Sequence, residues 1–141
     1  MRARDILESK GTTVVTIAPD ATLEDAIETL AQHGIGAVVV AEENRPVGIV
    51  SERDVVRVLA GAPTGFRDSA VRASMTSPVH TVAPDASVDD LLDMMTDRRV
   101  RHLPVCEGGR LVGIVSIGDV VKHRIRAVTS EADALRDYIA G

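Results

Sequence analysis

Aromatic residues are nearly missing from this chain: one Phe, one Tyr and no Trp among 141 residues. A core built without them rests on Val, Ile, Leu, Ala and Met. The scarcity excludes two binding strategies, since single-strand nucleic-acid platforms stack bases on aromatic faces and methyl-ammonium cages enclose their cation with them. A basic surplus is missing too. Lys and Arg number 16 against 21 Asp and Glu, a net charge of −5. A duplex-binding protein shows the opposite balance, so no nucleic-acid partner is expected. A small phosphorylated ligand stays open, because one cleft can differ in sign from the whole surface. Cysteine is reduced to Cys106, which has no internal disulfide partner and fits a reducing compartment. No apolar run approaches the roughly 18–20 residues of a membrane span. The opening MRARDILESKG lacks the apolar stretch of a secretory signal. A cytoplasmic protein without membrane contact is the expectation.

What is present is ordinary globular composition, 45% hydrophobic and 26% charged. A chain of this length holds a real core as one domain or two very small ones. Self-comparison resolves that choice. The segment from Thr16 to Val56 aligns with Thr81 to Val121 at a constant offset of 65, with no gap and with 17 of the 41 paired positions identical. The chain is two copies of one unit, joined near the breaker-rich stretch GAPTGFRDS, Gly61–Ser69.

Each copy carries the same signals. A short β run, Val14–Ile17 or Val79–Val82, ends at Pro19 or Pro84. Thr22 or Ser87 then stands as an N-cap before the acidic pair Glu24-Asp25 or Asp89-Asp90. Leu23, Ala26, Ile27 and Leu30, matched by Val88, Leu91, Leu92 and Met95, recur at helical spacing. Two β runs follow, joined by polar turns: Ala37–Val40 with Val47–Val50, and Leu103–Val105 with Leu111–Val115. A second helix opens at Ser51 or Ser116. Each unit reads β-α-β-β-α. One such unit cannot bury both faces of its small sheet, so the two are expected to pack together.

The segments GIVSERD (Gly48–Asp54) and GIVSIGD (Gly113–Asp119), the paired T-x-A-P-D-A-[ST] starts and RHLPV (Arg101–Val105) resemble the cystathionine-beta-synthase (CBS) domain. The resemblance runs from about Ala3 to about Arg126. It implies an α/β (α+β) fold of two motifs paired about a pseudo-two-fold axis, with N-terminal and C-terminal helical extensions: motif 1 over 1–62, a linker over 63–70, motif 2 over 71–126 and the C-terminal helical extension over 127–141. It further implies a stand-alone regulatory pair, not an enzyme. Such pairs bind adenosine-containing ligands (AMP, ADP, ATP, NAD(H) or S-adenosylmethionine) in clefts between the motifs and form homodimers. The catalytic barrel that accompanies such a pair in inosine monophosphate dehydrogenase does not fit in this length. A module that regulates a partner enzyme, such as a redox protein, is the alternative.

The residues support two readings of Ser51-x-x-Asp54 and Ser116-x-x-Asp119. They form a capping box at a helix start. They equally place N–H groups, a hydroxyl and a carboxylate where a phosphate and a ribose would sit. The resemblance implies crossed sites, each taking its helix start from one motif and its first strands from the other. One site joins Val82, Arg101, His102, Leu103 and Pro104 to Ser51, Arg53 and Asp54. The other joins Ile17, Gly36, Ala37 and Val38 to Ser116 and Asp119. Arg53, Arg101 and His102 have uncharged counterparts at Gly118, Gly36 and Ala37, so the first site is expected to hold phosphate more tightly.

Other polar residues read as structural. His33, His80, His102 and His123 lack metal-ligand spacing. Cys106 reads as a small buried hydrophobe. Arg98-Arg99 closes a helix, where cations complement the dipole. Arg57 and Lys122 read as solvated helix residues, with contact to a phosphate as the alternative for either. Past the repeat, Val121, Ile125, Val128, Ala132, Leu135 and Ile139 form a heptad-like seam suited to a partner subunit. It lies either on a continuation of the preceding helix through Tyr138 or on a fresh helix begun at Ser130.

Overall fold

The computed structural model describes residues 1–61 and 64–140; Ala62, Pro63 and Gly141, at the ends of the expected motif, linker and extension, lie outside the described residues. The elements run α1 (Ala3–Lys10), β1 (Thr16–Ile17), α2 (Leu23–His33), β2 (Ala37–Glu42), β3 (Arg45–Ser51), α3 (Glu52–Gly61), two short 3-10 turns (Phe66–Asp68, Val71–Ala73), α4 (Val88–Arg98), β4 (His102–Glu107), β5 (Arg110–Ser116) and α5 (Ile117–Ala140). This is the expected doubled β-α-β-β-α unit with a helical extension at each end.

The helix starts follow from their caps. Thr22 Oγ1 accepts from the Asp25 amide at 3.1 Å while Asp25 accepts from the Thr22 amide, and Ser87 with Asp90 repeats the arrangement. The apolar stripe of α2 buries Leu23, Ala26 and Leu30; that of α4 buries Val88, Leu91 and Met95. Both hairpins turn through two residues of positive φ, Glu43-Asn44 (50° and 63°) and Gly108-Gly109 (60° and 79°), as a tight two-residue hairpin requires. Asn44 tolerates that conformation and also uses it. Its carbonyl accepts from the Leu111 amide at 2.8 Å and its Nδ2 donates to the Leu111 carbonyl, so the first hairpin tip docks on the second hairpin.

The two sheets differ by one residue. In the first motif β1 pairs parallel with β2, which pairs antiparallel with β3. In the second, β4 and β5 pair alone and the expected Val79–Val82 strand shrinks to a single bridge, Val82 to Val105. The cause is Pro104. Its counterpart Val39 donates its amide to the Val15 carbonyl, and a proline has no N–H to give.

Each motif is completed by the segment that precedes the other. Ala3, Ile6 and Leu7 of α1 join the core of the second motif with Leu91, Leu103 and Val115. Val71, with Phe66 and Met75 beside it, joins the core of the first motif with Leu23, Val38 and Val50. The backbone bonds match in pairs: Ala3 to Ala86 and Arg4 to Pro84, against Val71 to Ala21 and Arg72 to Pro19. This exchange ties the two motifs into one body. In the middle of each third strand a glycine admits the exchanged segment. A Cβ on Gly113 would lie 2.6 Å from Leu7 Cδ2, and one on Gly48 would lie 2.9 Å from Met75 Cγ.

The last helix is continuous from Ile117 through Ala140, with no new start at Ser130. Its seam is exposed: Val121, Ile125, Val128 and Leu135 are about half solvent-accessible, and Ile139 reaches 75%. Among the described residues no helix is long and apolar enough to cross a membrane.

Candidate functional site

β3 delivers Ser51 to the start of α3, and the capping box forms. The Asp54 amide donates to Ser51 Oγ, and Asp54 Oδ2 accepts from the Ser51 amide at 2.8 Å and from its hydroxyl at 3.0 Å. Asp54 Oδ1 accepts from Thr76 Oγ1 at 3.0 Å and from Arg57 Nη1 at 2.9 Å. This carboxylate is 1% exposed and its four acceptor positions are all used, which is how a buried charge is tolerated. Three of those donors are neutral or held by the fold. The fourth, the Arg57 side chain, is 65% exposed and can leave.

This helix start forms one wall of a cleft of about 590 Å³ between the motifs. From the first motif come Gly36, Ile49, Ser51, Glu52, Arg53, Asp54, Val56 and Arg57. From the second come Thr76, Pro78, Val79, His80, Arg98, Arg99, Val100, Arg101 and His102. The structure therefore brings together Ser51, Arg53, Asp54, Arg101 and His102 as one crossed site. Gly36, assigned by sequence to the other site, lines this one as well and faces His102, whose Cε1 would stand 3.6 Å from a Cβ at that position. Val82, Leu103 and Pro104 are buried and absent from the lining, as are Ala37 and Val38. They support the walls from within the core. The apolar surface of the cleft comes instead from Ile49, Val56, Pro78, Val79 and Val100. No aromatic residue faces it.

Sequence reasoning gave Arg57, Arg98, Arg99 and His80 bland roles, and all four line the cleft. One local signal marks the α4 pair. Arg99, the residue closing α4, adopts the left-handed conformation (φ 55°, ψ 41°), where Gly34 closes α2 at φ 60°, ψ 39°. A side chain there costs about 1 kcal/mol relative to glycine.

The second helix start is built alike and partnered differently. Asp119 Oδ2 accepts from the Ser116 amide at 2.9 Å and from Lys10 Nζ at 2.6 Å, and Lys10 also donates to the Ile114 carbonyl. Burial alone raises the Asp119 carboxyl; the Lys10 ammonium and the Ser116 donors outweigh it and hold it below the ordinary carboxylate value. Ile17 is half-buried against the first core, away from the described cleft. His102 stands between the two helix starts. Burial pushes its imidazole down, Lys10 and Arg101 add to the shift, and Asp119 and Glu52 oppose it. Burial also pushes the Cys106 thiol up, away from reactive thiolate. Among the described residues no three His, Cys, Asp or Glu are grouped to hold a metal.

Comparison with known proteins agrees with the doubled unit. The CBS domain family model matches residues 3–61 and 69–126. A CBS-domain containing protein from Agrobacterium tumefaciens is 43% identical, with a TM-score of 0.83 over 88% of this chain and 99% of that one. A CBS domain protein from Pyrobaculum aerophilum, complexed with AMP, is 29% identical, with a TM-score of 0.76 over 84% and 89%. The CBS domain pair of protein MJ0100, in complex with 5′-methylthioadenosine and S-adenosyl-L-methionine, is 25% identical, with a TM-score of 0.77 over 86% and 94%.

Proposed function

The chain belongs to the CBS domain family, with the domain present twice, and on that premise we propose that it is a non-catalytic regulatory module whose arginine-lined cleft binds an adenosine-containing ligand. The observation that carries the reading is the meeting of Ser51, Arg53 and Asp54 of one motif with Arg101 and His102 of the other around a cleft of about 590 Å³. Similar structures holding AMP, or 5′-methylthioadenosine with S-adenosylmethionine, support it. The phosphate lies at the N-terminus of α3, where the Arg53 N–H, left open by the cap and by the Glu52–Gly36 bond, and the helix dipole meet the Arg53 and Arg101 side chains. Adenine rests on the aliphatic surface of Ile49, Pro78, Val79 and Val100. A ribose hydroxyl takes the place of Arg57 on Asp54, and the released guanidinium turns to phosphate. AMP, ADP, ATP and NAD(H) fit this charge pattern. S-adenosylmethionine, a sulfonium cation without phosphate, fits it least.

In this reading the second crossed site, at Ser116 and Asp119, is the weaker one. Gly118 stands for Arg53, Gly36 and Ala37 stand for Arg101 and His102, and Lys10 already occupies Asp119. Ligand bridging the two motifs biases their packing by its differential affinity for the two arrangements. The division into residues 1–62, 63–70, 71–126 and 127–141 and a cytoplasmic setting belong to the same proposal. The exposed seam of α5 pairs with a second copy. The alternative occupant of that seam is a partner enzyme. Light scattering at micromolar concentration decides between them: a dimer that Leu135→Glu with Ile139→Glu makes monomeric supports pairing, and a wild-type monomer refutes it.

The ligand reading is tested by titration calorimetry and thermal shift with AMP, ADP, ATP, NAD, NADH and S-adenosylmethionine. Ligand at ~100 times its Kd stabilises by about 2.7 kcal/mol. Arg101→Ala should weaken phosphate-bearing ligands by about ten- to hundredfold, the worth of one charge-assisted bond. Unchanged affinity in that variant would remove the assignment.

A further inference from the structure

The last turn of α4 ends on Arg98 and Arg99, and both line the cleft. The fold calls for a left-handed cap at the end of α2 and of α4 alike. The first motif meets it with Gly34, and the second keeps an arginine against the local backbone preference. Arg53, Arg57 and Arg101 line the same cleft as Arg98 and Arg99. Among the described residues only Arg57 of these five is in an ion pair, with Asp54. Glu52 and Asp54 are the two acids of the lining, and Asp54 is committed to its hydrogen bonds. Four guanidiniums without carboxylate partners around one cleft repel one another until an anion of several charges lies between them. A monophosphate at the start of α3 satisfies Arg53 and Arg101 and leaves the α4 pair unused.

We propose that Arg98 and Arg99 read the phosphates beyond the first, so that the cleft selects adenosine di- and triphosphates over AMP. This rests on the adenosine reading above and deepens it. The planar forks of the two guanidiniums can each take two oxygens of a phosphate chain, a geometry a lysine would not supply.

Calorimetry at one ionic strength with AMP, ADP, ATP and inorganic tripolyphosphate tests it, on the wild type, on Arg99→Gly and on Arg98→Ala with Arg99→Gly. Arg99→Gly adopts the solution already used at Gly34, so its melting temperature should not fall below that of the wild type. The wild type should bind ATP about tenfold or more tighter than AMP, and tripolyphosphate measurably. In the double variant the ATP preference should collapse, with AMP affinity within about twofold of the wild type. An AMP affinity equal to that for ATP in the wild type, or an ATP preference that survives both substitutions, overturns the inference while leaving the adenosine site standing. Tripolyphosphate that binds through Arg99 while no nucleotide binds more tightly upholds the phosphate-chain role and refutes the adenosine reading. Silence from all four probes refutes both.

Discussion

At the start of α3, Thr76 donates its amide to the Ile49 carbonyl and its hydroxyl to Asp54. At the start of α5, one ammonium does both tasks, since Lys10 Nζ bonds the Ile114 carbonyl and Asp119. The two aspartates sit at the same place in the repeat and the segments that reach them are the two exchanged lead-ins. Their chemistry is nevertheless opposite. Asp54 is satisfied mainly by neutral donors and keeps one exposed cation, Arg57, as its fourth partner. Asp119 is neutralised by a lysine anchored in a helix packed on its own motif. A repeat thus preserves the position of a carboxylate while the exchanged segment decides which donors partner it.

The largest effect expected from breaking this pairing is at the buried acid. Asp54→Ala removes the buried carboxylate that four donors share and leaves the half-buried Ser51 amide without its acceptor, and should cost about 3 kcal/mol in urea unfolding, against about 1 kcal/mol for Asp119→Ala. Equal losses would show that the two helix starts are energetically alike. Next come the glycines that admit the exchanged segments. Gly48→Ala should cost about 2 kcal/mol, because the new Cβ meets the Thr76 carbonyl at 3.1 Å as well as Met75, and backbone cannot give way without opening the Ile49–Thr76 bridge. At Gly113 the three atoms nearest a new Cβ all belong to the flexible Leu7 side chain, so Gly113→Ala should cost less. The reverse order would place the tighter seal at α1.

Lys10→Ala should cost about 1 kcal/mol near neutral pH. The folded Asp119 carboxyl lies below its ordinary value of 3.8, so the pair contributes fully above that value and the contribution fades as pH falls through the lower folded value. Wild type and variant should therefore converge in acid, and a constant gap down to low pH would remove the charge pairing as its cause. The smallest effect belongs to His102. Its folded value lies below 6.5, so the unfolded chain takes up the proton first and stability falls as pH drops from above 6.5 toward the folded value. His102→Gln should flatten the stability profile there, as chemical denaturation at stepped pH will read.

Much of the fold was legible from local pattern. Thr22 with Asp25 and Ser87 with Asp90 announced their helices, and the fixed offset announced two copies of one unit. The reading of Ser51-x-x-Asp54 as a cap and as a cleft wall needed no choice, since the cap itself holds the carboxylate at the cleft. Local pattern was weaker where a distant residue intervened. The strand at Val79–Val82 was reduced by Pro104, more than twenty positions along the chain, because a ladder rung needs a donor from its partner. Leu103 and Val38 read as ligand-facing from their motif, yet strands buried on both faces turn them into core.

The sequence by itself determined the repeat, the helix caps, the hairpin turns and an aliphatic interior, because each depends on residues within a few positions of one another. Tertiary structure alone decided which motif each lead-in segment completes, that Lys10 pairs with one carboxylate while Thr76 and Arg57 enclose the other, and that Arg98 and Arg99 line one cleft with Arg53 and Arg101. Those outcomes are contacts between residues tens of positions apart, and charge or burial at such a distance is fixed only when two packed motifs bring the side chains together.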